Sequence, residues 1–406
     1  MKYLKINAEN LILTNGNFKI ILYVTASLYS HENNKAMKER DNEMKGKFSA
    51  IFIIAMLLVF LFTGCTSENG VVDEGAGNGS SEFKEVTDMA GRSVPIPQEI
   101  DSVFSISSAG TIMLYTIDPD LLVGVNYEFN EDEKEYIIDE VKDLPAYGQG
   151  GKINQEALIA AAPDICISYG TISESEIDYV NTLQEQTGIP FLLVDGSLES
   201  TPETYRFLGE VFQRQERCEQ LAQYAEEALN FAKSLNIPEK ERVSVYFGNG
   251  HESLETAPVG SPHAELFELI GADNVAVVEE IQDKVARIDI SAEQIIGWDP
   301  EVIILNGEPT ERFSPLDAVN KFKEDPRYKN VRAVIDDRVY PVPKYPFSWF
   351  DRPSGNNRLI GIYWLADLLY PDLVEVDIDQ EARDFYSLFY HMDLNQEQLD
   401  MLLGRN

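Results

Sequence analysis

Two stretches of the chain repeat one order of apolar and polar positions without a gap: Ile153 to Gly170 aligns with Ile290 to Gly307. Each predicts a short helix opened by a capping side chain, Asn154 or Ser291, and stopped at a Pro–acid pair, Pro163-Asp164 or Pro300-Glu301. Each then runs into a strand apolar on both faces, the pattern of a parallel sheet covered on both sides. A repeated helix-to-strand unit predicts two related α/β lobes.

Between the copies, Leu208, Val211, Phe212, Leu221, Ala225, Ala228, Ala232 and Leu235 keep helical spacing, with Gly209 near the start. This predicts one helix over 202–236, on the order of 50 Å long at 1.5 Å per residue. The expected fold class is therefore α/β: two Rossmann-like lobes, 84–201 and 237–406, connected by a single long α-helix, with a ligand cleft between the lobes at the carboxyl edges of the sheets.

Ahead of the lobes the pattern changes. Lys45 and Lys47 precede an apolar run from Ile51 to Phe62, which ends at Thr63-Gly64-Cys65. That run is shorter than the roughly 20 residues of a spanning helix. It reads as a lipoprotein signal peptide over 44–64, with Cys65 as the lipid acceptor and a Gly/Ser/Asn-rich tether over 65–83. Residues 1–43 are read as an upstream extension before a start at Met44. The expected location is extracytoplasmic, lipid-anchored to the outer face of the cell membrane.

Composition removes several function classes. Acidic residues outnumber basic ones 69 to 33, a net charge of −36, so nucleic acid is not an expected partner. The sequence carries four histidines, of which His251, His263 and His391 follow Cys65, with no His-x-His pair; a bare transition-metal site is therefore disfavoured. There is no Gly-x-Ser-x-Gly elbow, Walker loop or His-Glu-x-x-His, and no catalytic residue is assigned. Cys166 lies in an apolar segment and Cys218 on a predicted helix; both are read as buried thiols, with a disulfide between them left open.

Four ordered segments carry a resemblance: 88–97 (Asp88 to Pro97), the 154–170 unit, Gly260 to Ala276, and 338–343 with 358–371. They resemble the substrate-binding lipoproteins of ABC importers for ferric siderophores, haem and cobalamin, whose two lobes are joined by one long helix. The resemblance implies a monomer without chemistry of its own or intrinsic cofactor. It would capture a metal chelate, with a ferric siderophore first and haem, cobalamin or another metal chelate as alternatives, and deliver it to an ABC permease and its ATPase. A binder of free divalent metal, an extracellular enzyme and a surface sensor are the rival readings.

By the same resemblance, one glutamate on each lobe docks with the permease. Glu156 and Glu265 match those positions, and Glu293, the echo of Glu156 in the internal repeat, competes for the second. Strand-end loops supply the expected ligand contacts: Ser107, Ser108, Tyr127, Tyr147, Tyr169, His251, Trp349, Phe350 and Arg352. Trp349 and Phe350 offer stacking area, Arg352 a clamp for an anionic group, and His251 an imidazole for a metal left open by its chelator.

Overall fold

A computed structural model describes residues 82–278, 286–308, 313–351, 353 and 355–405, all within one structural unit, Gly79–Asn406. The signal peptide, Cys65, most of the tether and Arg352 lie outside the described residues.

A hairpin of β1 (Phe83–Thr87) and β2 (Ser93–Pro97) leads into β3 (Val103–Ser105) and α1 (Ser108–Ile117). The first lobe continues through α2 (Glu131–Lys134), α3 (Gln155–Ala161), β4 (Ile165–Gly170), α4 (Glu174–Thr187) and β5 (Phe191–Asp195). Then come α5 (Thr201–Phe212) and α6 (Gln215–Ser234). The second lobe holds β6 (Ser244–Gly248), β7 (Glu255–Thr256), α7 (Glu265–Leu269), β8 (Asp273–Asn274), β9 (Ile288–Asp289), α8 (Ala292–Trp298), β10 (Val302–Leu305), α9 (Pro315–Glu324) and β11 (Val339–Pro341). The chain ends in α10 (Arg358–Leu369), α11 (Ile378–Tyr390) and α12 (Gln396–Leu402).

Both main sheets are parallel, in the orders β3-β4-β5 and β11-β10-β6-β8. The strands of the internal repeat, β4 and β10, lie inside their sheets, where both faces need apolar cover. Alternation along each strand divides the side chains between two layers. Ile165, Ile167, Leu192 and Val194 face one cluster with α1, while Cys166, Phe191 and Leu193 face another with Val180 and Leu183 of α4. In the second sheet Val302 and Ile304 share a cluster with Val245 and Phe247, and Ile303 and Leu305 share one with Tyr246. Burying one such aliphatic side chain contributes about 1.5–3 kcal/mol.

The repeat is faithful at its ends. The Asn154 side chain accepts from the Ala157 amide, and Ser291 forms a capping box with Gln294. Each helix closes on a left-handed residue, Ala162 (φ 47°) or Asp299 (φ 46°), immediately before its proline.

The segment 202–236 corrects the expectation of one continuous helix. Gln213 is left-handed (φ 58°), and the chain reverses there into two packed helices, α5 and α6. Gly209 is the signal: a Cβ there would lie 2.8 Å from the Cβ of Cys218, so only glycine lets α6 come this close. Across the pair, Arg206 binds Glu219 at 2.8 Å and Glu226 at 2.7 Å. The connection to β6 is thus the 20-residue α6 alone, about 30 Å at 1.5 Å per residue. Cys166 and Cys218 are buried, free and in different clusters; burial pushes the Cys218 thiol up to about 12.

The C-terminal helices do not stay with the second sheet. Helix α11 packs on α1, and the Tyr136 hydroxyl donates to the Gln398 carbonyl at 2.8 Å.

Candidate ligand cleft

The loops at the carboxyl ends of the strands are held by buried polar groups. In the first lobe Asn126 donates to the Ser105 carbonyl (2.9 Å) and the Gly148 carbonyl (3.1 Å), and accepts from Thr111 (2.7 Å). Three loops are thereby fixed by one side chain. In the second, Asn306 donates to the Asn249 side chain at 3.0 Å. Gly307 has φ +67°, and a side chain there would collide with the Phe313 carbonyl.

A cleft of about 630 Å³ opens between these loop systems, within the range of sites for compact organic ligands. Its first-lobe wall runs along 128–134 and 142–146; its second-lobe wall is Phe313, Ser314, Pro315, Lys344 and Tyr345. Aromatic rings line both sides: Phe129 packs edge-on to Tyr127 at 5.8 Å, and Tyr345 is stacked on Tyr136 at 5.3 Å. The exposed ring of His251 packs on Phe313 at 4.4 Å, which sets it beside the cleft wall, and its carbonyl accepts from Lys321. A recess of about 480 Å³ on the first lobe includes Ser107, Gln149, Tyr169, Thr171 and Glu176.

The geometry redistributes the expected site residues. Ser107 caps α1 and donates to the Tyr169 carbonyl at 2.8 Å, while Ser108 donates to Gln149; both organise the loop. Trp349 and Phe350 are corrections. They are 0% and 2% exposed, Trp349 beside Tyr386 and Phe350 between Phe247 and Phe267, so their stacking faces belong to the core. Tyr147 is half-buried and packs edge-on to Phe104 at 5.5 Å. Burial raises the phenol of Tyr127 far above its ordinary value and that of Tyr169 to about 12. Among the described residues no group of three or more His, Cys, Asp or Glu is placed to hold a metal ion.

Glu265, expected at a docking position, has a partner within the chain. Its carboxylate is paired with the buried guanidinium of Arg358, whose Nε donates to the Gly355 carbonyl (3.1 Å) and Nη2 to the Gly196 carbonyl (3.3 Å). Gly196 follows β5 of the first lobe, so Arg358 fastens the two lobes and Glu265 balances its charge. Sequence reasoning gave Arg358 no role; its place just after Asn356-Asn357, at the start of an apolar helix, was the available signal. Beside it, His263 Nδ1 lies 2.6 Å from the fully buried carboxylate of Asp351, which also pairs with Arg287 at 2.5 Å. By contrast Glu156 and Glu293 are both exposed, each in the first turn of its helix.

Comparison with known proteins follows this layout. The family description "periplasmic binding protein" matches residues 103–346. The chain is a periplasmic binding protein. As such it is the extracytoplasmic solute-binding component of an ABC transporter, and its relatives are transport proteins rather than enzymes. An ABC transporter solute-binding protein of Sulfurospirillum deleyianum is 31% identical with a TM-score of 0.71, covering 79% of this chain and 99% of that one. The molybdate-binding protein MolA of Haemophilus influenzae is 24% identical over 333 residues, 75% of this chain and 90% of MolA. The haem-uptake protein IsdE of Staphylococcus aureus is 23% identical over 235 residues, 57% of this chain and 76% of IsdE. Among the described residues of this periplasmic binding protein, no helix is long and apolar enough to cross a membrane.

Proposed function

We propose that this protein captures a compact metal chelate in the cleft between its lobes and presents it to a permease, held near the membrane by lipid on Cys65. The observation that carries the reading is the 630 Å³ cleft with aromatic groups on both walls, Phe129 from one lobe and Phe313 and Tyr345 from the other. Such walls suit the flat ligand rings of a chelate, and the chelator supplies the metal donors that the described residues do not. A ferric siderophore fits this chemistry best. The molybdate named for MolA supports a second reading, a metal oxyanion.

Permease docking is assigned to Glu156 and Glu293. They occupy equivalent places in the internal repeat, and each has an exposed isoleucine three residues on, Ile159 (46%) and Ile296 (43%). Matched acidic and apolar groups on the two lobes give orientation, since an exposed ion pair alone contributes only about 0.2–1 kcal/mol.

The test is metal accumulation in cells lacking the gene, supplied in turn with ferric siderophores, haem, cobalamin and molybdate. The proposal expects one supplement to lose uptake, with recovery on restoring the wild-type gene. Unchanged uptake of every supplement would refute it.

A further inference from the structure

Most charged groups around the cleft mouth are already balanced or face water. Lys134 lies 3.5 Å from Glu131 and 3.4 Å from Asp143, and Lys142 lies 2.8 Å from Asp139. The side chains of Glu131 and Asp143 point to solvent, being 93% and 89% exposed. Glu133 is committed to its capping box, accepting from the Asn130 amide at 2.9 Å.

Lys344 differs. It is half-buried in the second-lobe wall beside Tyr345, and it forms no ion pair among the described residues; its one hydrogen bond, to the Asn306 carbonyl, is 3.4 Å long. An ammonium in this setting has lost part of its water without gaining a carboxylate, a costly arrangement unless a ligand completes it.

We infer that Lys344 is the charge-selecting residue of the cleft and that the captured ligand is an anionic complex, held by Lys344 against the aromatic rings of Phe129, Phe313 and Tyr345. This rests on the capture reading above and narrows its ligand class.

The same burial lowers the Lys344 pKa to about 8, opposed by the fields of Glu133, Glu308 and Asp351 and reinforced by that of Arg287. Glu128 and Asp132 also line the cleft. The ammonium is therefore present at neutral pH and lost as the pH rises through about 8. Anion affinity should fall over that interval. An arginine at 344 would remain charged throughout.

The experiment titrates the full mature chain with two probes, a trianionic ferric tris-catecholate and a neutral ferric tris-hydroxamate, at pH 7 and pH 9. Wild type is expected to bind the anionic complex more tightly, and to lose about tenfold or more of that affinity with Lys344→Met or on moving to pH 9. Lys344→Arg should keep its affinity at both pH values, and neutral-complex binding should not follow the charge at 344. Circular dichroism of each variant separates misfolding from loss of the anchor. Tighter binding of the neutral complex, or a folded Lys344→Met that holds the anion as well as wild type, overturns the inference while leaving capture intact. Binding of neither complex overturns the inference and counts against the chelate reading itself.

Discussion

The Tyr115 hydroxyl, on α1 of the first lobe, donates to the Tyr390 carbonyl at the end of α11, 3.0 Å away. Since α11 follows the second lobe in the chain, this bond ties the C-terminal helices back to the first. The same hydroxyl accepts from the Ile138 amide at 3.2 Å, and Arg217 of α6 donates to the Thr116 carbonyl and, by a very short contact, to that of Leu388. The C-terminal return and α6 are thus both bonded to α1 of the first lobe. Tyr115→Phe removes a donor and leaves the Ile138 amide without its partner, which costs about 1–3 kcal/mol. Urea unfolding should show it, accompanied by faster amide exchange in α11 than in the sheets.

His391 ends α11 in the left-handed region (φ 57°), and its Nε2 lies 3.0 Å from the Tyr115 carbonyl. Burial lowers its pKa, helped by nearby Arg217 and opposed by the Tyr115 carbonyl and Asp118. A base with a folded-state pKa below its unfolded value of about 6.5 binds more protons when unfolded, so its contribution to stability falls as pH drops through that value. Wild type should lose stability between pH 7.5 and pH 5.5 by more than His391→Asn does, asparagine being tolerant of the same backbone. Parallel unfolding curves at the two pH values would contradict this.

The Glu265–Arg358 ion pair gives a structural carboxylate against which the proposed docking through Glu156 and Glu293 can be tested. Glu265→Gln leaves a buried guanidinium without its counter-charge. Breaking a fully buried pair costs about 3–5 kcal/mol, and the partial exposure of Glu265 (37%) reduces this. The expected signature is a lower melting temperature with ligand uptake per folded molecule unchanged. The double variant Glu156→Lys/Glu293→Lys should show the reverse, an unchanged melting temperature with uptake reduced at least about tenfold.

Asp88 anchors the turn after β1. Its carboxylate is buried, binds Arg92 at 2.8 Å and accepts from the amides of Ala90, Arg92 and Leu193. Asp88→Asn removes the charge and offers an amide where acceptors are needed, at a cost of about 2–4 kcal/mol. Thermal unfolding within a few tenths of a kcal/mol of wild type would show that the turn is held by other means.

The two sheets and their interior strands were legible in the sequence because apolar runs, proline stops and helix caps are local signals, and the internal repeat stated them twice. The reversal at Gln213 was not: helical spacing continues through it, and the cause is Gly209 admitting Cys218 from a helix that the pattern does not distinguish from its predecessor. Trp349 and Phe350 read as loop aromatics, yet they are covered by Tyr386, Phe247 and Phe267 from distant segments. Glu265 matched a docking position by neighbouring residues, while its partner Arg358 lies 93 positions away. Lys344 left no local trace, because its missing partner becomes apparent only when the surrounding charges are paired off in three dimensions.

Native mass spectrometry of the chain from Thr66 onward, with metal analysis after exposure to ferric siderophores, haem, cobalamin and molybdate, tests the capture claim most directly. A one-to-one adduct with a metal complex is expected, weakened by Phe129→Asp in the cleft wall. No adduct with any of these, or one indifferent to Phe129→Asp, would contradict capture in this cleft.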